Sequence, residues 1–268
     1  MPTCQFVDII VTDIIALAQR AGEKIMTVYA QDFSVSDKAD HSPLTAADLA
    51  AHDVICSGLA ELTPDLPVLS EESANIPFDT RAKWDRYWLV DPLDGTKEFI
   101  KRNGEFTVNI ALIENYRAIL GVVLIPARQQ CYYATLSSGA FRQDKGQTPQ
   151  PLRVTQPAAQ PLRVVGSRSH AGQELSDYVS KLGAHTFVPV GSALKFCLVA
   201  EGSADIYPRL GPTSEWDTAA AQCIVEAAAG QVITLDGTPL RYNQKESLLN
   251  PYFLVIGDAE RDWLRYLS

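Results

Sequence analysis

An α+β half followed by an α/β half is the fold class that this 268-residue chain predicts. Three features carry it. Two helix-spaced apolar patterns open the chain, a run of short strand signals follows, and strand and helix signals alternate beyond about residue 160. In "FVDIIVTDIIALAQRAGEKIM", Val7, Ile10, Ile14, Ala18, Ala21 and Ile25 recur at helical spacing. Asp8 and Asp13 interrupt the segment and no basic stretch precedes it, so it reads as an amphipathic helix rather than a signal peptide. A polar loop, "SDKADHSPLTAAD", leads into a second helix with Ala51, Ile55 and Leu59 on its apolar face. "LPVLSEES" and "RYWLVDPLDGT" each read as a strand ending in acids. "TVNIALIENYRAILGVVLIP" is a strand, turn and strand, and "QQCYYATLSSGAFRQD" a further hairpin. The stretch rich in Pro and Gln from Gln143 to Gln160 is the expected boundary between domains 1–150 and 151–268. After it, "PLRVVGSRSH", "HTFVPVGSALKFCLVAEGSADIYP" and "EWDTAAAQCIVEAAAGQVI" alternate strand and helix.

Composition narrows the function classes. The chain is 46% apolar and 21% charged, an ordinary globular balance. A formal charge of -9 argues against a nucleic acid polymer as partner, because no basic field offsets phosphate repulsion. Small phosphate substrates remain open where bound cations supply positive charge locally. Five scattered cysteines with no CxxC spacing read as reduced thiols of a cytoplasmic protein. No apolar run approaches the length of about 18 residues that a transmembrane span needs. Oligomeric state is not written in the sequence.

The chemistry centres on "YWLVDPLDGTKEF". Asp91 and Asp94 flank Pro92 and Leu93 at a strand end, and Gly95 with Thr96 opens a short helix whose free N–H groups suit a phosphate. Singly, this is an aspartate-glycine turn with a helix cap. Glu71 and Glu72 end another strand, and carboxylates gathered at strand ends are how Mg²⁺ is held. Asp217 in "EWDTAAAQC" stands at the start of a helix, where an N-cap is its ordinary reading. Asp48 fits a capping box opened by Thr45, with Asp in place of Glu.

"DPLDGT" joined to a later "WDTAA" resembles the Mg²⁺-dependent, lithium-sensitive phosphomonoesterases of the inositol monophosphatase superfamily, and the resemblance runs from the N-terminal helices past Asp217. It implies a layered αβαβα sandwich of the inositol monophosphatase/fructose-1,6-bisphosphatase type. It also implies that Glu71, Asp91 and the Leu93 carbonyl bind one metal, that Asp91, Asp94 and Asp217 bind a second, and that Glu71 with waters binds a third. Thr96 and Asp48 would orient and deprotonate the attacking water, and the Gly95 and Thr96 amides would hold the phosphate. Asp40, in the loop before the second helix, would lie near the third metal, where Li⁺ inhibits.

Substrate contacts are expected from the second half. "SRSH" supplies Ser167 and His170, "GSALK" supplies Ser192 and Lys195, and "YPR" supplies Arg209 just before Asp217, itself counted on the substrate side. Together these resemble the 3'(2'),5'-bisphosphate nucleotidase branch, where a cation suits a second phosphate. The branch implies conversion of adenosine 3',5'-bisphosphate to AMP, action on the sulfated nucleotide too, and a place in sulfur assimilation. Inositol-1-phosphate hydrolysis on the same metal centre and a non-catalytic phosphate sensor are the alternatives. The expected compartment is the cytoplasm. Peripheral attachment to the inner membrane is the variant that the acidic charge disfavours.

Overall fold

The computed structural model describes residues 3–31, 43–168 and 172–267. In chain order its helices and strands are α1 (Thr3–Tyr29), α2 (Pro43–Leu62), β1 (Val68–Ser70), α3 (Phe78–Arg81), β2 (Arg86–Asp94), α4 (Thr96–Ile100), β3 (Thr107–Glu114), β4 (Arg117–Ile125), β5 (Gln130–Thr135), β6 (Gly139–Asp144) and β7 (Gln150–Pro151). The second half continues with β8 (Leu162–Ser167), α5 (Gln173–Lys181), β9 (His185–Val190), α6 (Leu194–Ala200), β10 (Ile206–Arg209), α7 (Ala219–Ala227), β11 (Gln231–Thr234) and β12 (Phe253–Ile256). The first seven strands form one sheet in chain order, antiparallel except where β1 pairs parallel with β2. The other five form a mixed sheet in the order β11-β12-β10-β8-β9. The Pro- and Gln-rich stretch expected to be linker contributes β7 and the end of β6 to the first sheet.

Three apolar cores stack these elements into layers. The spaced residues of α1 and α2, among them Ile14, Ala18, Ile55 and Leu59, meet Trp88, Val90, Val108 and Ile110 on one face of the first sheet. Its other face presents Tyr87, Leu89, Ala111 and Ile113 to Phe196 of α6 and Ile224 of α7, and these helices also touch Tyr207 and Phe253 of the second sheet. That sheet's outer face, with Val164 and Leu254, packs on Leu175 and Tyr178 of α5 and on Trp263. The order is helices, sheet, helices, sheet, helix. It is the αβαβα sandwich, built because side chains alternate faces along each strand and both faces of both sheets are apolar.

The central layer is held close. A Cβ on Gly121 of β4 would stand 2.1 Å from the carbonyl oxygen of Ala220 in α7. Overpacking costs about 3 kcal/mol at the upper end of its usual range, and each kcal/mol lowers Tm by about 2 to 4 °C in chains of this size. Gly121→Ala is therefore expected to lower Tm by roughly 6 to 12 °C in a calorimetric scan. An unchanged Tm would mean that the helix has room to retreat.

Among the described residues no helix is long and apolar enough to cross a membrane. Cys56, Cys131, Cys197 and Cys223 are free. Burial pushes the Cys56 thiol up to about 11 and that of Cys131 to about 12, which leaves them protonated and unreactive at neutral pH.

Candidate active site

The three-residue spacing of Asp91 and Asp94 has a geometric cause. On a regular strand, residues three apart face opposite sides of the sheet. Here Asp91 pairs with Asn109 and Asp94 with Thr107, so three steps on β2 oppose two on β3. The extra residue is a bulge, and it falls at Pro92-Leu93, where proline has no N–H to lose from the ladder. The bulge turns Asp94 to the same face as Asp91, the face toward the central helices. Gly95 follows at φ 99°, a left-handed conformation. A Cβ there would lie 3.2 Å from the Glu105 carbonyl oxygen, so glycine meets both the conformational and the steric demand.

Asp217 arrives from the other half. It is not the N-cap of a helix. It is the third residue of a 3₁₀ turn, Glu215–Asp217, whose capping box it closes with Ser214, its Oδ2 accepting the Ser214 N–H at 2.8 Å. One carboxylate oxygen from each of Asp91, Asp94 and Asp217 lies within 4.8 Å of the others. These three line a cavity of about 330 Å³ together with Glu71, Leu93, Gly95 and Thr96. Ser167, Ser192, Lys195 and Arg209 line its remaining walls. Asp48 sits behind the cluster against Glu71 and Glu72. The capping box expected at Thr45 does not form the helix start, because α2 already begins at Pro43, a residue favoured in a first turn. His170 and Asp40 lie outside the described residues.

Residues 190–195 bridge the two halves of the cavity. The Ala193 N–H donates to Asp94 Oδ2 at 2.6 Å, and Gly191 N–H donates to Glu105 Oε2 at 2.9 Å. Ser192 between them holds φ 49°, strained for a residue with a side chain. Lys195, whose ordinary reading is a solvated helix residue, is buried. Its ammonium donates to the carbonyls of Ser192 (2.6 Å) and Val190 (3.3 Å), and burial pulls its pKa down to about 8 against the opposing pull of Asp94. Arg168 turns from the cavity to Glu105, donating to both carboxylate oxygens at 3.1 and 3.2 Å. Arg209 keeps a buried Nε without a partner.

A second segment, residues 243–250, walls the Asp217 turn from outside. The Glu215 N–H donates to the Leu248 carbonyl at 2.8 Å, and Asn250 Nδ2 donates to the Ser214 carbonyl at 2.7 Å. Buried Arg81 ties the far end, donating to Asn243 Oδ1 and to the carbonyls of Lys245 and Glu246.

The electrostatics call for a cation. Burial, then the neighbouring Asp94, Glu71, Asp217 and Asp48, raises the Asp91 carboxyl well above the usual range. Burial likewise pushes Asp48 up to about 8 and Asp217 to about 7, and raises Glu71 and Asp94. The donor set is all oxygen, which suits a hard ion such as Mg²⁺ or Mn²⁺ rather than zinc. Among the described residues the buried Asp48 Oδ1 has no hydrogen-bond partner, as a group awaiting a ligand would be. The residues present therefore fit a divalent metal.

A stability consequence follows, with a definite sign. The folded state holds protons on Asp48 and Asp217 up to about pH 8 and 7, while unfolded aspartates release theirs near pH 4. The folded state thus binds more protons across that window, and stability falls as pH rises. In chelator, Tm is expected to decline between about pH 5 and 8, and saturating Mg²⁺ is expected to flatten the decline. A Tm in chelator that rises through this window would contradict the burial of these carboxyls.

The inositol monophosphatase family model matches residues 8–261. The chain belongs to the inositol monophosphatase family. Within that family it is 54% identical over 241 residues to the 3'(2'),5'-bisphosphate nucleotidase CysQ of Escherichia coli K12, a match covering 89% of this chain and 96% of the relative. Among solved structures, CysQ from Bacteroides thetaiotaomicron superposes with a TM-score of 0.81 at 43% identity, over 92% of this chain and 95% of that one. An inositol monophosphatase from Zymomonas mobilis, 23% identical, shares the fold with a TM-score of 0.77 over 96% of this chain and 98% of its own.

Several residues that build this inositol monophosphatase-family site escape a reading of motifs. Ala193 acts through its backbone, Glu105 through a carboxylate that meets a loop 86 residues away, and segment 243–250 through the Leu248 carbonyl and the Asn250 amide. None of these roles leaves a local sequence pattern. Asn109 is different, since a lone amide inside the apolar strand "TVNIALI" is a visible signal.

Proposed function

We propose that this chain is a Mg²⁺-dependent phosphomonoesterase that removes the 3'-phosphate of adenosine 3',5'-bisphosphate, giving AMP and phosphate, and that treats the sulfated nucleotide alike. The observation that carries the reading is the carboxylate cluster of Asp91, Asp94 and Asp217 facing Arg209 across one cavity. The 54% identity to a protein named as a bisphosphate nucleotidase supports the choice of substrate. Glu71, Asp91 and the Leu93 carbonyl would hold one Mg²⁺, Asp91, Asp94 and Asp217 would hold a second, and Glu71 with waters would hold a third. Bound there, Mg²⁺ supplies hydroxide at neutral pH and neutralises charge on the attacking and leaving oxygens.

The protein's own groups do the rest. Thr96 would orient the attacking water, and Asp48, once the metal's charge has drawn off its own proton, would take the water's. The Gly95 and Thr96 amides hold the reacting phosphate. Arg209 pairs with the 5'-phosphate, while Ser167 and Ser192 border the nucleotide. The substrate of this reaction is the by-product of sulfate reduction that sulfur assimilation must clear, and the cytoplasm is the place of work.

The deciding experiment is phosphate release from adenosine 3',5'-bisphosphate, its sulfated form and inositol-1-phosphate, with Mg²⁺ and with chelator. The nucleotide is expected to be the preferred substrate, with AMP rather than adenosine 3'-phosphate as the organic product. Preference for inositol-1-phosphate would transfer the assignment to that substrate, and binding without turnover would make the protein a sensor. Li⁺ is expected to inhibit, since a monovalent ion neutralises phosphate poorly. Undiminished activity in millimolar Li⁺ would remove that expectation.

A further inference from the structure

Asn109 stands in the middle of β3, only 1% exposed, in a strand whose other residues from Thr107 to Ile113 are apolar but for Thr107. It pairs across the ladder with Asp91, and paired residues of an antiparallel sheet share a face. The bulge at Pro92-Leu93 brings Asp94 to that same face, opposite Thr107, whose hydroxyl donates to Asp94 Oδ2 at 3.4 Å. The Asn109 carboxamide therefore lies beside both acids and against the Asp94 carboxylate. That contact with Asp94 falls short of normal hydrogen-bond geometry, and among the described residues neither Nδ2 nor Oδ1 has a partner that meets it.

A buried amide with no well-formed hydrogen bond at either end is costly, and folded proteins seldom tolerate one without a reason. Packing is not the reason. Ala111 and Ile113 point to the same side of β3 and lie in the apolar core, so leucine, of nearly the same shape, would fill the position at less cost. The difference lies in what an amide offers: two donors and one acceptor at zero charge. A lysine here would compete with a metal ion for the acids, and a sixth carboxylate beside Asp48, Glu71, Asp91, Asp94 and Asp217 would add to a repulsion already large.

We propose that Asn109 is a positioning residue of the metal centre, its Nδ2 steadying the Asp94 carboxylate and its Oδ1 accepting from water at the site. This rests on the reading of Asp91 and Asp94 as metal ligands, and it is independent of which phosphomonoester is the substrate. Asn109 touches no reacting atom. It acts through Asp94, as the hydrogen-bonding partners of ligating carboxylates do, and losing such a partner ordinarily weakens metal affinity 10- to 100-fold.

The test is calorimetric titration of Mg²⁺ and of Mn²⁺ into the whole protein without substrate, for wild type, Asn109→Leu and Asn109→Ser, beside Tm in chelator. Asn109→Leu is expected to weaken both metals by roughly 10- to 100-fold while leaving the metal-free Tm equal or higher. Asn109→Ser, which keeps a hydroxyl, is expected to fall between wild type and leucine. In turnover, the lost kcat should return as Mg²⁺ is raised, with KM for the nucleotide little changed. A residue that merely packed would show the reverse, a lower Tm with unaltered metal affinity. Affinity within threefold of wild type in both variants overturns the proposal, and so does a wild type that binds neither metal. Should wild type bind Mg²⁺ but release no phosphate from the nucleotide, the substrate reading fails while the titrations still decide the role of Asn109.

Discussion

Asp94→Asn and Asp217→Asn are each expected to cut kcat by roughly 10² or more at saturating Mg²⁺, because losing a ligand charge leaves the leaving oxygen poorly neutralised. The change is nearly isosteric, and an amide oxygen can still accept the Ala193 N–H in one variant and the Ser214 N–H in the other. Both carboxyls are raised chiefly by burial, so a neutral amide relieves repulsion in the metal-free protein. Metal-free Tm should therefore hold or rise as activity collapses. That pairing separates loss of a ligand from loss of the fold. Near-normal turnover in either variant would count decisively against the assignment.

Arg209→Ala is expected to raise KM for adenosine 3',5'-bisphosphate by roughly 10- to 150-fold with kcat nearly unchanged. One charge-assisted contact is worth about 1.5 to 3 kcal/mol. The 5'-phosphate lies away from the reacting bond, so its contacts are the same in the ground and transition states and appear in KM. Inositol-1-phosphate, with one phosphate, should lose nothing. Lys195→Ala should behave differently, although both residues are cations of the same cavity. The Lys195 ammonium pins the Ser192 and Val190 carbonyls and offsets Asp94, so its removal should damage every substrate by a similar factor. Equal losses on both substrates in Arg209→Ala would give the inositol reading the advantage.

How much of this was legible varied with the range of the contact. Ile14, Ala18, Ile55 and Leu59 declare their helices by spacing alone, and all four are buried as that spacing requires. "DPLD" was legible as chemistry, but the bulge that turns both acids to one face was not read from it, although a proline inside a strand is a place where the ladder breaks. Asp217 was recognisable as a partner only through the resemblance, and its local role was misread, because a turn closed by a capping box and a helix N-cap share the same short sequence. Lys195 was expected to meet substrate, and its burial against the Val190 and Ser192 carbonyls was not legible, because a helix start says nothing of what covers it. Nor does "SRSH" show that its Arg168 meets Glu105, 63 residues earlier.

The outer wall of the Asp217 turn bears on how the protein is made. Synthesis runs from the N-terminal side, so Asp48, Glu71, Asp91 and Asp94 are all made before Asp217 is added. Even then the turn lacks the carbonyls and amides of residues 243–250 that wall it, and Arg81 has no Asn243 to grip. A chain halted at residue 242 carries every acid of the site without that outer wall. The turn that brings Asp217 to the other acids is thus braced last, by a segment that holds none of them.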